Sequence, residues 1–262
     1  MPVLVSGWVN PDPYRAYLGT PKQYDIVMLA NFAAYKRHWL FFHTLRRLPR
    51  HYRVLLLGTP LGTRTEQVLR DEARAFGVHD RFELHSRLSD AAVAEGLCRS
   101  RVSLIFSAQE GACIAVAESL LADTPVGLFR AARVGSRAFI NDRTGVLLDG
   151  RDVAGQVRRF VDDADRYSPL AWALENISCY RSHEVLNATL RDDAGREGRP
   201  WTRDIVPFAQ SAQVRHVSAD DERALRPWYD DFAREYGLRL GVARPAGAVA
   251  EQAVAQPLNL GA

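Results

Sequence analysis

The sequence predicts an α/β fold: a Rossmann-like parallel sheet followed by a C-terminal helical extension. Six short apolar runs lie between residues 25 and 149, and segments with helical periodicity separate them. Each run is apolar on both faces, which is typical of parallel strands that helices cover on both sides. The chain has 262 residues, 47% of them hydrophobic, which is ample for a packed core.

The predicted strands and helices alternate along the chain. Strands are predicted at 26–32, 54–58, 82–85, 102–106, 126–129 and 146–148. Helical patterns occur near 37–48, 63–76, 89–99, 111–122 and 152–167. In such sheets ligands bind outside the carboxyl ends of the strands. We expect Asn31, Gly58, Arg87 and Glu110 at those ends.

Three further segments flank the predicted α/β domain of residues 25–167. Residues 1–24 contain four prolines and are expected to be an extended, linker-like lead-in. Residues 168–242 form the predicted helical extension. Residues 243–262 are rich in Ala, Gly, Pro and Gln and are expected to be a disordered tail.

The last predicted helix begins after Ser218 and ends at Gly237, residue types that favour these positions. Large side chains recur along it at three- and four-residue steps: Leu225, Trp228, Tyr229, Phe232 and Tyr236. We expect this stripe to be packed, because exposed it would form an unusually large apolar patch. The extension should therefore cover the α/β domain or form a homodimer contact.

Composition narrows the function classes. The formal net charge of +3 is too small, and the arginines too dispersed, to indicate a nucleic-acid partner. The three cysteines, Cys98, Cys113 and Cys179, are odd in number and far apart, which favours a reducing, cytoplasmic location. No apolar stretch approaches the roughly 20 residues of a membrane span. We also predict no metal, because no Cys/His cluster has ligand spacing and Asp163 and Asp165 lie within an amphipathic helical pattern.

The segment from Ser107 to Val126 carries the strongest functional signal. A predicted strand ends in a polar turn and a helix follows, with Glu110 before the helix and Glu118 within it. The start of such a helix offers unpaired N–H groups and the positive end of a dipole, which bind anions. The carboxylates add acceptors for hydroxyl groups. Phosphate donors beside hydroxyl acceptors indicate a nucleotide-sugar.

This segment resembles the Glu-x7-Glu signature of the family-4 retaining glycosyltransferases, which have the GT-B fold. Six positions match that signature: Ser107, Glu110, Gly111, Glu118, Pro125 and Val126. Three positions depart from it. Ala112 stands for Phe, and Cys113 and Asp123 each stand for Gly. The resemblance covers about residues 20–170 and implies the donor-binding, C-terminal half of a GT-B enzyme, without the N-terminal acceptor domain.

The resemblance also implies roles for individual residues. Glu118 would hold the ribose hydroxyls, and Glu110, the catalytic candidate, the hydroxyls of the donor sugar. Lys36 would hold the diphosphate together with the backbone of Gly111, Ala112, Cys113 and Ile114. Two further candidates complete the donor site: Asn31, which occupies the position of a family arginine, and Arg87, which could stack on the base or pair with phosphate. Transfer would need neither metal nor cofactor.

Three other interpretations stay open. The chain could be a non-catalytic remnant that serves as a binding or scaffolding partner, an interpretation favoured by the departures at Asn31, Ala112, Cys113 and Asp123. It could also be one half of a two-chain enzyme whose acceptor half is a separate protein. The simplest alternative is an ordinary strand–helix unit with surface glutamates. The sequence identifies neither the donor's base and sugar nor the acceptor.

Overall fold

A computed structural model describes residues 4–209 and 215–237 of the chain. The described residues form two compact units. One comprises residues 11–174, and the other comprises residues 4–10 together with 175–209 and 215–237. The predicted disordered tail, 243–262, and the end of the predicted extension, 238–242, lie outside the described residues.

The larger unit contains a six-stranded sheet whose neighbouring strands all pair in parallel. Its strands in chain order are β1 Tyr24–Leu29, β2 Val54–Gly58, β3 Glu83–Ser86, β4 Ser100–Ile105, β5 Val126–Phe129 and β6 Gly145–Leu148. In space they are arranged in the order β3-β2-β1-β4-β5-β6. This arrangement is Rossmann-like and confirms the predicted fold class.

Nine α-helices lie in the described part of the chain. They are α1 Asp12–Arg15, α2 His38–Leu45, α3 Glu66–Ala75, α4 Asp90–Cys98, α5 Ile114–Leu121, α6 Val153–Asp162, α7 Pro169–Asn176, α8 Cys179–Arg196 and α9 Ala219–Tyr236. Short 3-10 helices occur at Val5–Trp8, Ala34–Lys36, Gly135–Phe139 and Ala164–Arg166. None of these described helices is long and apolar enough to cross a membrane.

The central strands are apolar on both faces, as the sequence predicted, whereas the edge strand β3 has no buried residue. All six residues of β4 except Arg101 are buried, as are the residues of β5. Helix α3 begins with the Thr65 side chain accepting a hydrogen bond from the Val68 N–H, and α4 begins similarly at Ser89. From β1 the chain adds β2 and β3 on one side of the sheet, and then β4, β5 and β6 on the other side. The direction of strand addition therefore reverses where β1 lies beside β4. Parallel sheets bind ligands at this topological switch point.

The prediction of an extended lead-in is wrong for residues 4–24, the part of it that the structure describes. Residues Val5–Trp8 form a 3-10 helix, and Asp12–Arg15 form a short helix that buries Tyr14. The prolines favour this outcome, because proline is tolerated in the first turn of a helix. In the smaller unit, the Trp8 ring stacks on Phe208 with centroids 4.3 Å apart.

Helix α9 confirms the predicted bounds, since Ser218 is its N-cap and Gly237 its left-handed C-cap. The prediction that the aromatic stripe of this helix is packed is wrong for three of its side chains. Trp228 is 61% exposed, and Phe232 and Tyr236 are also exposed. Tyr229 is partly buried, with its hydroxyl 2.9 Å from His216 Nε2. The helical periodicity predicts the helix, but it does not determine which surface covers the stripe.

Candidate active site

The candidate site lies where β1 and β4 end, at the switch point of the sheet. The segment after β1 carries Asn31 and Lys36, and the segment after β4 carries Glu110 and leads into α5. The two segments are joined by the Ala108 N–H, which donates to the Tyr35 carbonyl at 3.0 Å. Residues far apart in sequence therefore meet at one edge of the sheet.

Lys36 and Glu110 form a largely buried ion pair at this edge. Lys36 Nζ lies 2.7 Å from Glu110 Oε2, and the two side chains are 10% and 11% exposed. Lys36 also lies 5.4 Å from the centroid of the Tyr35 ring. A lysine and a glutamate withdrawn from water this far are stable only because each neutralises the other. The structure thus brings two of the predicted site residues together.

Arg37 is a site residue that the sequence analysis missed. Its guanidinium donates to the carbonyl of Phe106 and, at 3.2 Å, to that of Ser107. It also lies 5.1 Å from the centroid of the Phe129 ring. These bonds fix the end of β4 against the segment after β1. The only signal in the sequence was that Arg37 follows Lys36, at a position where the resembled family has glycine.

The segment that carries Glu110 is supported from its other side by the loop after β5. Residues Gln109–Glu110 pair in parallel with Arg133–Val134, and the Arg133 N–H donates to the Ala108 carbonyl at 3.0 Å. Gly135 allows this close approach, because a Cβ there would lie 2.1 Å from the Gly111 carbonyl oxygen. Glu110 is therefore held on a rigid two-stranded support.

Helix α5 begins at the site through an unusual N-cap. Cys113 adopts a left-handed conformation with φ of 50°, and its side chain makes no cap hydrogen bond. The first N–H groups of a helix have no partner within the helix, so this terminus offers donors to an anion. Burial and the neighbouring Glu110 carboxylate raise the pKa of the Cys113 thiol to about 12. Of the nearby backbone positions, Gly111 is exposed and Ala112 and Ile114 are partly buried.

Glu118 lies one turn into α5 and has a perturbed carboxyl group. Burial and, after it, the negative charge of Asp90 at the start of α4 raise its pKa to about 7, with Lys36 opposing the shift. Burial, followed by the charge of Glu118, also raises the pKa of Tyr14. Glu118 is thus close to half-ionised near neutral pH, which is unusual for a glutamate and common at functional sites.

The two remaining candidates are placed differently. Asn31 lies in the segment after β1 that also carries Lys36, and its Oδ1 accepts a hydrogen bond from the Ala33 N–H at 3.2 Å. Arg87 follows β3, is exposed and has a left-handed φ of 54°. Because β2 and β1 separate β3 from β4, Arg87 lies about 14 Å across the sheet from the Glu110 segment, at about 4.8 Å per strand. The structure does not bring Arg87 to the ion pair.

His38, at the start of α2, is a second residue that the sequence did not single out. It is 1% exposed, and neither imidazole nitrogen has a hydrogen-bond partner among the residues that the structure describes. Burial and, after it, the charges of Arg64 and Lys36 lower its pKa to about 3. His38 packs edge-on against Phe32, with centroids 5.9 Å apart.

Comparison with solved structures shows the class of fold. Sucrose-phosphate synthase from Thermosynechococcus elongatus is 16% identical, with 74% of this chain and 51% of that chain covered and a TM-score of 0.56. Anabaena HepE in complex with UDP is 13% identical, with 71% and 56% covered and a TM-score of 0.60. The pneumococcal O-GlcNAc transferase GtfA in complex with UDP and GlcNAc is 16% identical, with 66% and 37% covered and a TM-score of 0.52. The chain shares the α/β fold of these GT-B structures and spans about half of their length or less.

The family is shown by a match over more than half of the chain. Residues 13–170 match the family described as glycosyl transferases group 1, and the chain belongs to that family. The matched residues include both candidate glutamates and Lys36. Comparison with curated proteins gives no match.

Proposed function

We propose that the larger unit binds a nucleoside diphosphate sugar and is the donor-binding half of a family-4-like, retaining glycosyltransferase. The observation that carries this proposal is the buried Lys36–Glu110 pair beside the N-terminus of α5, at the switch point of a parallel sheet. A cation and free helix N–H groups suit a diphosphate, and a carboxylate suits sugar hydroxyls. Two of the three solved structures named above contain UDP.

In this proposal the diphosphate lies between Lys36 and the start of α5. The N–H groups of Ala112, Cys113 and Ile114 donate to it, and Gly111 leaves its approach open, since nothing lies within 4 Å of a Cβ built there. Lys36 is already paired with Glu110. The diphosphate therefore competes with Glu110 for the ammonium group, and Glu110 is released to accept hydrogen bonds from the donor sugar.

Glu118 is proposed to hold the ribose, since two adjacent hydroxyls can donate to one carboxylate. Near pH 7 this carboxyl is partly protonated, so its ionisation is coupled to binding. Asn31 adds an uncharged donor where the resembled family has arginine. We propose that the exposed Arg87, at the far side of the crevice, contacts the base.

The same groups supply the chemistry of the transfer. When the bond between sugar and diphosphate breaks, negative charge develops on the leaving diphosphate. Preorganised donors and cations stabilise that charge as it forms. Lys36 and the N-terminus of α5 provide this stabilisation, so we propose that transfer needs no metal and no cofactor.

The acceptor side of the reaction requires a partner surface. GT-B enzymes place the acceptor on a second domain, and this chain spans about half or less of the solved structures named above. We propose that a second domain, on the same polypeptide or on a separate one, binds the acceptor. A second copy of this chain, in a homodimer, is the other candidate for covering the site. The exposed Trp228, Phe232 and Tyr236 of α9 suit such a contact. A cytoplasmic location fits the supply of nucleotide-sugars and stays a prediction.

One alternative function has specific support. A non-catalytic remnant would keep the fold and lose the donor, and two observations favour it. Lys36 is already neutralised by Glu110, and the Cys113 side chain occupies space beside the helix terminus that a family glycine leaves free. In that case Glu118→Ala would change the stability of the protein, and there would be no transfer activity for it to change.

Calorimetric titration with a panel of nucleoside diphosphates tests the proposal. We expect one base to be preferred and binding to be the same in magnesium and in EDTA. Glu118→Gln should weaken that binding by about tenfold, the loss of one charge-assisted contact. Glu83→Gln, an exposed substitution on β3, is the control. Absence of binding to every member at millimolar concentration would contradict the proposal and favour the remnant.

A further inference from the structure

The loop after β5 forms a cavity that is lined by three arginines. Its volume is about 220 Å³, and it is lined by Arg130, Ala131, Ala132, Arg133, Val134 and Arg137. The three arginine side chains are exposed, and none of them is in an ion pair with a residue that the structure describes. The other lining residues are small or apolar. The cavity therefore concentrates positive charge. This charge reaches the carboxylate of Asp149, whose pKa is lowered mainly by a hydrogen bond from the Arg151 N–H and in part by Arg130.

The backbone fixes these arginines relative to one another. Arg137 Nη1 donates to the Arg130 carbonyl at 2.8 Å, which closes the loop on itself. Arg133 is held by its strand pairing to Gln109 and by its N–H bond to Ala108. A loop fixed in this way loses little conformational entropy when an anion binds. Each guanidinium group carries several N–H donors, so a cavity lined by three arginines suits the oxygens of a phosphate or diphosphate.

The position of the cavity relates it to the candidate active site. Val134, in its lining, pairs with Glu110, so the two backbones run about 4.8 Å apart. The same loop contacts the start of α5, since Ser136 Oγ donates to the Cys113 carbonyl at 3.2 Å. An anion in the arginine cavity would thus lie close both to the Glu110 segment and to the proposed donor diphosphate site.

We propose that Arg130, Arg133 and Arg137 form a second phosphate-binding site, which holds a phosphate group of the acceptor substrate. This inference rests on the proposed function, since an acceptor exists only if the protein transfers a sugar. The acceptor is then a phosphate-bearing molecule, and its phosphate anchors the hydroxyl that receives the sugar near Glu110.

The test is titration of the full chain with inorganic pyrophosphate in saturating UDP, followed by calorimetry. We expect pyrophosphate to bind beside UDP, with an affinity that falls as salt rises and exceeds that of acetate. Arg133→Gln and Arg137→Gln should each weaken pyrophosphate binding about tenfold and leave UDP binding unchanged. The matched control is Arg159→Gln, an exposed arginine on α6, which should change neither.

Three results would overturn the inference. Pyrophosphate that competes with UDP for one site would make the cavity part of the donor site. Pyrophosphate affinity that is unchanged in both arginine variants would place the anion elsewhere. If acetate binds as tightly as pyrophosphate, the cavity does not select phosphate groups, and the proposal of a phosphate-binding site is wrong. If UDP itself does not bind, the same variants are titrated with pyrophosphate alone, so failure of the donor site is distinguished from failure of this cavity.

Discussion

Lys36 Nζ and Glu110 Oε2 lie 2.7 Å apart, and the residues that carry them are 74 positions apart in the sequence. The pair is withdrawn from water on both sides, so neither charge can be removed without leaving the other buried and unpaired. It joins the segment after β1 to the segment after β4. The ion pair is at once a structural link and the proposed point of contact between donor sugar and diphosphate.

Removing the charge of one partner of this pair should destabilise the fold more than removing the charges of both. We expect Lys36→Met to lower the free energy of unfolding by about 3 kcal/mol, because Glu110 is left buried without its cation. Adding Glu110→Gln should restore much of that loss. Urea unfolding of the two single variants and the double variant measures the coupling. Purely additive effects would show that the pair contributes nothing specific.

The ionisation of Glu118 should make stability fall as pH rises. Its pKa is about 7 in the folded protein and 4.5 ordinarily, so the unfolded chain ionises first. The free energy of unfolding should therefore decrease between pH 4.5 and 7, by up to about 3 kcal/mol, and the loss should be complete above pH 7. Glu118→Gln lacks this titration. Subtracting its urea-unfolding profile from that of the wild type isolates the effect, and identical profiles would contradict it.

His38 should have the opposite dependence on pH. Its pKa is about 3 in the folded protein and 6.5 ordinarily, so protonation of the unfolded chain lowers stability as pH falls from 6.5 towards 3. We expect His38→Leu to abolish this acid-dependent loss. It should also raise the free energy of unfolding at pH 7 by about 1 kcal/mol, because two unpaired buried nitrogens are removed. A less stable variant at pH 7 would indicate that the imidazole makes favourable contacts that leucine lacks.

Cys113→Gly should tighten donor binding. Left-handed backbone costs a non-glycine residue about 1–2 kcal/mol, and the thiol narrows the space at the start of α5. Relief of the strain offsets the loss of buried side chain, so stability should change little while nucleoside diphosphate affinity rises several-fold. Cys113→Ser keeps the strain and the bulk and should show no gain. Equal affinities in the glycine and serine variants would place the diphosphate away from Cys113.

Much of the fold could be predicted because local pattern and topology agree. The apolar runs at 54–58 and 126–129 coincide with β2 and β5, and the caps of α9 were readable from Ser218 and Gly237. That Asn31 and Glu110 lie at the carboxyl ends of strands followed from the alternation alone. The lead-in was predicted wrongly, since prolines at the start of a helix and in an extended segment look alike in sequence.

The contacts of the site could not be predicted, because they depend on pairings across the sheet. Cys113 and Asp123 were recognisable as departures from family glycines, yet both keep a glycine-like left-handed backbone, with φ of 50° and 55°. Arg37 does the same, with φ of 54°. Long-range bonds hold two of these residues in place. Arg37 donates to the end of β4, and the Leu170 N–H donates to Asp123 Oδ1 at 3.2 Å.

The most direct test of the donor site is an amide NMR titration of the uniformly ¹⁵N-labelled chain. The ligand is the nucleoside diphosphate that binds best in the calorimetric panel, and its nucleoside, which lacks the diphosphate, is the control. We expect the backbone amide signals of Cys113, Ile114 and Lys36 to shift with the diphosphate and not with the nucleoside. Amide signals of these residues that stay unchanged while the diphosphate binds would contradict the account.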